Sequence, residues 1–368
     1  MKNGEMIMEN GTFYREQILK PKPVFLDEYL NEILHLPVDS KIVSKSILDD
    51  METDTTRILK LLITWKANDG KEYNEKLFLK LPTVARQENA FDKWSMHEID
   101  FYRNVERNNE LPIVKCHDAY IFDDKKHFLL VLDDISNDYY SASDINRNEI
   151  DYWLIAAGSL AKIHSFYWNG VNANKLELLH GDNKSIEEKT EHYHNALEKF
   201  LQYASDYYDN EILKVYPAAF EDAIKFERKN LERIEQNNNI SVIHGDSHIF
   251  NFMFPKVAFK APLVVDFQFW RMGIAAVDIM NLTRVAFPFM SEPERHLEVL
   301  KHYHTLLLGY GVTNYSLDEC LYDYYLSVAM AVFSPVFNYF DFGLGHEYWG
   351  QGVFHTINNY KTVKKLLG

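Results

Sequence analysis

SVIHGDSHIFNFMFPKVAFKAPLVVDFQFWRMGIAAVD, residues 241–278, is the stretch whose reading decides the fold. Three polar residues stand out against its apolar texture: Asp246 in His244-Gly245-Asp246, Asn251 five residues on, and Asp266 closing the run Leu263-Val264-Val265. β-Branched residues precede both His244 and Asp266, which predicts two short buried strands with the polar residues at strand ends or in the loop between them. A scaffold usually presents its chemistry at such places. The tripeptide alone decides little, because His180-Gly181-Asp182 repeats it with Glu187 in the fifth position and no strand ending in Asp soon after. Asp182 therefore reads as a surface-loop residue.

Phosphoryl transfer from ATP asks for a carboxylate that orients an attacking hydroxyl and accepts its proton, and for oxygen ligands to Mg²⁺. Asp246 fits the first need, Asn251 and Asp266 the second. An Asp followed at five by Asn has the spacing of a kinase catalytic loop, and two hydrophobic residues before Asp have the form of the kinase metal-binding Asp, without its Phe-Gly. With HGDxxxxN, then VVDFQ, Gly273 and Asp278, the stretch resembles the aminoglycoside and choline phosphotransferase family, and it is most similar to the ecdysteroid-kinase-like branch. The resemblance implies an α+β, bilobal, protein-kinase-like fold. Residues 1–132 would form a small lobe of antiparallel sheet plus helix. Residues 133–368 would form a larger, mainly helical lobe carrying the catalytic loop 244–251 and the metal-binding Asp266. It also implies a phosphotransferase acting on an alcohol group, with ATP and Mg²⁺ as cofactors, Asp246 catalytic, and Asn251 and Asp266 as metal ligands.

Composition sets the class. The chain has 368 residues, 46% hydrophobic and 25% charged, an ordinary globular balance with enough length for two lobes. A net charge of −15 argues against nucleic acid or an anionic membrane as partner, since either needs a basic surface. Two cysteines, Cys116 and Cys320, fit a reducing compartment with no disulfide framework. No apolar run reaches the length of about 20 residues that a membrane span needs, and the polar start is unlike a signal peptide, so the expected location is the cytoplasm.

In chain order, a helix is predicted around Val24–Leu36, packed outside a sheet whose first strands read SKIVSKSI, RILKLLITWKA and KEYNEKLFLKLP, the last two joined by an Asn68-Asp69-Gly70 hairpin. In the family the first two strands hold a loop over the phosphates, usually eased by glycine. Here the corresponding stretch, Leu48–Arg57, has none, so the hydroxyls of Thr53, Thr55 and Thr56 are the expected phosphate contacts, while Asp49, Asp50, Glu52 and Asp54 would repel unless turned away or paired. Lys80 is an odd guest among Leu77, Phe78, Leu79 and Leu81. The resemblance makes it the lysine that contacts the α and β phosphates and pairs with a helix glutamate, here Glu98, with Glu88 its rival. A strand pair, IVKCHDAYIFD and KKHFLLVLDDIS, leads to the expected hinge, where the backbone of Leu132, Asp133, Asp134 and Ile135 would read the adenine edge.

From about Ser136 the sequence reads as helical apart from the central motif: 149–168, 185–208, 212–236, and after Asp278 at 276–287, 291–310, 316–337 and 346–366. His164 and Asp278 read as structural supports of the catalytic loop. The stretches 185–208 and 212–236 are expected to build part of the acceptor pocket, and the aromatic segment Phe337–Trp349 to line it or to form interhelical core. The acceptor is a small-molecule hydroxyl, as in aminoglycosides, amino alcohols, sugars or sterol-like alcohols; the acidic chain leans to a cationic one, and the motif wording to a larger apolar one. Two rivals stand beside this reading. One is a nucleotide-binding pseudokinase, suggested by the glycine-free loop. The other is a metal-dependent hydrolase using His244, Asp246, His248 and Asp266, which the strand-and-loop texture around Gly245 opposes.

Overall fold

Alternation with a period of two runs through residues 57–66 and 76–81 and dictates a sheet with one face buried. The structure, a computed structural model, describes residues 12–53, 56–83, 93–105, 110–123, 127–173, 186–257, 260–284, 292–341 and 343–367. The chain divides into two units: Met1–Tyr140 with Pro255–Ala258 and Val265–Phe269, and Ser141–Phe254 with Phe259–Val264 and Trp270–Gly368.

The first unit is built on β1 (Lys41–Glu52), β2 (Thr56–Lys66), β3 (Glu72–Pro82), β4 (Cys116–Ile121) and β5 (Phe128–Asp133). They form one antiparallel sheet in the order β1-β2-β3-β5-β4. Leu59, Leu61 and Ile63 of β2, Leu77, Leu79 and Leu81 of β3, and Leu129 and Val131 of β5 point to one face. That face is covered by Ile18, Phe25 and three residues of α1 (Asp27–Leu34): Tyr29, Leu30 and Ile33. The expected helix is thus present but three residues shorter at its start and two at its end. Leu26 initiates it and His35, with φ 50°, ends it in the left-handed region. Pairing places Lys80 between Ile58 and Leu130, on the face opposite this core.

The stretch expected as a ten-residue phosphate loop, Leu48–Arg57, is mostly strand. β1 continues to Glu52 and β2 begins at Thr56, with Glu52 opposite Arg57. Thr53 closes the hairpin where glycine was expected to be needed: its amide donates to Thr56 O at 2.8 Å, and its hydroxyl accepts from Thr56 N and donates to Thr56 O, both at 2.9 Å. The Thr53 hydroxyl is therefore committed inside the hairpin rather than offered to phosphate. Asp50 is not a repelling charge either, because Arg57 binds it at 2.8 and 2.7 Å. The pair holds the Asp50 carboxyl below its ordinary range. Asp54, Thr55 and Glu88 lie outside the described residues.

The strands after residue 136, except Tyr139–Ser141, fall in the central motif, which the sequence reading set apart from the helices. The two short strands expected before His244 and before Asp266 are present as Ser241–Ile243 and Leu263–Val264. Short strands β7 (Ser241–Ile243) and β10 (Arg271–Gly273) pair antiparallel, as do β8 (Phe252–Pro255) and β9 (Leu263–Val264), and β6 (Tyr139–Ser141) precedes them. Around these lie α3 (Asp151–Phe166), α4 (Ile186–Ala204), α5 (Tyr216–Gln236), α6 (Ala276–Arg284), α7 (Pro293–Gly309), α8 (Leu317–Met330), α9 (Phe333–Phe340) and α10 (His346–Leu367), while the first unit holds α2 (Lys93–Asn104). The single helix expected at 316–337 is two, with a turn at Ala331 and Val332. Ser316 and Glu319 form a capping box at the start of α8. The segment Leu317–Phe340 spans 24 residues and is apolar enough to cross a membrane by length and composition, contrary to the expectation that no run reaches that length. Most of it is buried within this unit, as core helices are.

The aromatic segment after Phe337 is interhelical packing. Phe337 meets Tyr193 with centroids 5.3 Å apart, Tyr339 stacks on Tyr203 at 4.4 Å, and His346 stacks on Tyr207 at 4.4 Å. His180, Gly181 and Asp182 lie outside the described residues.

One polar knot ties the N-terminal segment to the sheet edge. Arg15 binds Asp118 through Nε at 2.7 Å and Nη2 at 3.1 Å, the Tyr29 hydroxyl donates to the same carboxylate at 2.9 Å, and the Arg15 guanidinium lies 4.3 Å from the Tyr120 ring centre. Asp118→Ala leaves a largely buried guanidinium unpaired and is expected to destabilise the fold by about 2–3 kcal/mol, measured by urea unfolding.

Candidate functional site

Lys80 is a lysine on a strand between apolar neighbours, and the structure gives it two partners in its own unit. Its Nζ lies 2.6 Å from Glu98 Oε2 and 3.1 Å from Asp266 Oδ1. Burial opposes the charge on Lys80, but the two carboxylates more than offset it and hold the ammonium above the ordinary lysine range. Glu98 comes from α2, where Ile99, Phe101 and Tyr102 are buried. Phe101 also stacks on Phe267 at 3.9 Å with planes 7° apart, so the residue next to Asp266 is clamped against the helix that carries Glu98. Asp266 itself has φ 68°, a left-handed conformation that costs an L-residue about 1 kcal/mol and that Asp tolerates better than most.

In the second unit, β7 delivers the chain into His244-Gly245-Asp246. Gly245 has φ 83°, a backbone that glycine adopts freely, which gives the middle residue of the tripeptide its physical reason. The turn is held by Asp278 on α6: its carboxylate accepts from His244 N at 2.7 Å and Gly245 N at 2.9 Å, and lies 3.1 Å from His164 Nε2. His164 Nδ1 in turn lies 2.9 Å from the Tyr303 hydroxyl. Asp278 is fully buried. Burial alone would raise its pKa, yet the hydrogen bond and charge of His164 and the His244 amide together hold it below the usual carboxylate range. Ser247 Oγ donates to Asp278 O at 2.8 Å, and Asn281 Nδ2 to Gly245 O at 3.0 Å. Asn281 was not foreseen; its place on the same face as Asp278, three residues on, is the signal that could have found it.

Asn251 donates its Nδ2 to Asp246 O at 2.8 Å. Because a side-chain amide has one oxygen, this leaves Oδ1 as its acceptor, the atom a hard cation needs. Asp266 offers Oδ2, with Gln268 Nε2 at a distant 3.5 Å. Carboxylate and amide oxygens are each the hard donors that Mg²⁺ takes. They do not fit zinc, and among the described residues no three His, Cys, Asp or Glu side chains gather as a metal centre. His244 Nδ1 accepts from Asp246 N at 3.2 Å, and His248 Nε2 lies 3.5 Å from Asp246 Oδ2.

At the expected hinge, Leu132 and Asp133 close β5, and two amides are already used: Asp133 N donates to Lys115 O at 3.0 Å and Asp134 N to Lys76 O at 2.9 Å. Ile135 O accepts from Asp138 N and Tyr139 N.

The stretches expected to shape part of the acceptor pocket, α4 and α5, border an open groove lined by Glu187, Glu191, Glu198 and Arg228. Arg284, at the end of α6, was not singled out by the sequence reading. It closes a helix whose residues Ala276–Thr283 are all buried, and burial lowers its pKa while the Asp246 carboxylate raises it.

A family model for ecdysteroid kinase-like proteins matches residues 50–310, well over half of the chain. The chain belongs to that family. Its recognition as a member of the aminoglycoside phosphotransferase group, and the α+β kinase-like fold expected from the motif, are thereby borne out. Membership also makes the expected enzyme class, a phosphotransferase acting on alcohol groups, the class of this chain. No curated protein matches the sequence significantly. A Ralstonia eutropha protein described provisionally as an aminoglycoside phosphotransferase is 10% identical with a TM-score of 0.51, over 88% of this chain and 93% of its own. A microcompartment-associated aminopropanol kinase is 9% identical with a TM-score of 0.50, again over 88% and 93%. A Streptococcus pneumoniae choline kinase is 14% identical over 92% and 96%, with a TM-score of 0.45. At such identities the likeness speaks to fold alone.

Asp278→Asn removes the charge that two loop amides and His164 satisfy, and is expected to cost about 3–5 kcal/mol. Because the native carboxyl is held below the unfolded value of about 3.9, its contribution is complete above that pH and is lost as pH falls through the native value. The melting temperature of the wild type should therefore drop below about pH 4, and that of the variant should drop less, as calorimetry across pH 3–7 can read.

Proposed function

We propose that this protein is an ATP-dependent small-molecule kinase that transfers the γ-phosphoryl group to a hydroxyl of a small acceptor. The observation that carries the reading is the Lys80 ammonium shared between Glu98 and Asp266. Two carboxylates on one buried ammonium leave a net negative site, which suits a dication and a polyphosphate arriving together better than either alone. In this reading Lys80 neutralises the α and β phosphates, and Glu98 keeps its ammonium aimed. Asn251 Oδ1 and Asp266 hold Mg²⁺, which when bound spreads the negative charge of the phosphate oxygens.

Asp246 orients the acceptor hydroxyl. The acceptor oxygen bonds to the γ-phosphorus, the bond from phosphorus to the β–γ bridging oxygen breaks, ADP leaves with that electron pair, and the hydroxyl proton passes to Asp246. Asp278 holds the turn that presents Asp246, and His164 holds Asp278. Positioning and electrostatics supply most of the rate, since little covalent work falls to the protein. Leu132–Ile135 supply backbone contacts to adenine.

One observation favours a second reading, a nucleotide-binding pseudokinase: the Thr53 hydroxyl that would meet phosphate is spent inside the β1–β2 hairpin. Turnover separates the two. Mg²⁺-dependent ADP release is measured across aminoglycosides, amino alcohols, sugars, sterols and hydroxy acids, with Asp246→Ala as control. The kinase reading expects an acceptor-stimulated rate that falls about 10³-fold in Asp246→Ala while ATP binding is kept. ATP binding without stimulated release by any acceptor class would make it a pseudokinase.

A further inference from the structure

The segment ahead of α1 runs the width of the sheet in the first unit, from edge strand β4 to edge strand β1. At β4, Arg15 binds Asp118. At β1, Lys45 donates to Phe25 O at 2.7 Å and pairs with Asp27. Between these ends Ile18 is fully buried in the core, and the carbonyls of Lys20 and Pro21 accept from Arg57 Nη1 and Nη2, each at 3.3 Å. Arg57 is the core-face residue of β2 nearest the tip of the β1–β2 hairpin. Its side chain is 8% exposed, and Nε and Nη2 also grip Asp50 at 2.8 and 2.7 Å. The next residues of that face, Leu59, Leu61 and Ile63, are apolar, and an apolar side chain at 57 would extend the core without burying a charge. Fold stability alone therefore gives no reason for a guanidinium here.

Strand register supplies one. Cross-strand partners share a face, so Glu52 opposite Arg57 and Asp50 opposite Leu59 lie on the core face, while Met51 opposite Ile58, and Ile58 opposite Lys80, lie on the other. Asp49 sits opposite Lys60. The hairpin tip begins two residues past Ile58, about 7 Å along the strand from the residue that faces Lys80. The hydrogen bonds to Asp50 hold the Arg57 guanidinium above its ordinary pKa against burial, and the charges of Asp50 and Glu52 add to them.

We infer that Arg57 is a positioning residue for the nucleotide: from the far face of the sheet it fastens the hairpin to the 12–27 segment and offsets the acids that would otherwise repel phosphate beside Lys80. The inference rests on the reading of Lys80 as the group that meets the phosphates. A turn eased by glycine bends toward its ligand, whereas this one is set beforehand, which removes the ordering cost of binding. The Thr53 hydroxyl spent inside the hairpin is then part of that rigidity rather than a lost phosphate contact.

The full-length protein is compared with Arg57→Met, Arg57→Lys and Asp118→Ala, the last loosening the same segment at the other edge of the sheet. Calorimetry reads the affinity for ATP, AMP and adenosine with Mg²⁺ present, urea unfolding reads stability, and ADP release with a stimulating acceptor reads KM and kcat. ATP affinity should fall on the order of 10-fold in Arg57→Met, AMP affinity less and adenosine affinity not at all, because only a phosphate chain reaches the hairpin and its acids. Arg57→Lys keeps the charge but not the fork, and should retain part of the affinity. KM for ATP should rise more than kcat falls. Asp118→Ala should lose stability but bind ATP as the wild type does. Adenosine weakened as much as ATP, ATP affinity unchanged in both Arg57 variants, or ATP affinity lost in Asp118→Ala in step with stability overturns the inference. Selective loss of ATP affinity, in a protein that releases no ADP with any acceptor, leaves the inference standing and sinks phosphoryl transfer alone. A wild type that binds no ATP sinks both.

Discussion

A buried carboxylate with three donors fixed on it is the constraint from which the helical unit takes its arrangement. An ionised Asp in a protein interior is tolerated only when its lone pairs are filled. Asp278 fills them with the His244 and Gly245 amides and with His164. Those partners come from a strand end, a glycine turn and α3, while Asp278 itself is on α6. His164 extends the chain of contacts to Tyr303 on α7. Three helices and a loop are thus bound to one charge, and a shift in any of them strands a polar group. Such a network, fully satisfied, gives a rigid turn and a single conformation for the residue that follows it.

The sheet-based unit solves the opposite problem, holding a cation among apolar residues. Strand alternation puts Leu77, Leu79 and Leu81 into the core and turns Lys80 to the other face. There the ammonium is matched by acids from α2 and from the segment that ends with Phe269. Ring stacking between Phe101 and Phe267 sets the spacing of those two elements, so that apolar contact fixes the geometry of a polar group.

How much of this the sequence disclosed follows from how local each feature is. His244, Asp246, Asn251, Asp266 and Asp278 lie within one short stretch, and their spacing carried the family and the fold directly. Lys80 was visible as a charge inside an apolar alternation, and Glu98 as an acid ahead of two aromatics. The hairpin at Thr53 was hidden, because the length of a turn is settled by the register of its strands rather than by the residues between them. The break between α8 and α9 was hidden for a similar reason: Ser334-Pro335 sits in a continuous apolar pattern, and Pro is tolerated in the first turn of a new helix. Arg284 was illegible altogether. An arginine at a helix end reads as an ordinary dipole partner, and only the packing of helices distant in sequence makes it a buried donor.

The left-handed backbone at Asp266 bears on how this site can change over generations. Asn would keep the conformation but lose the charge, Glu would keep the charge but strain the backbone, and Gly would keep neither charge nor donor atoms. Each of these three changes therefore loses either the left-handed backbone that Asp tolerates or the carboxylate that pairs with Lys80.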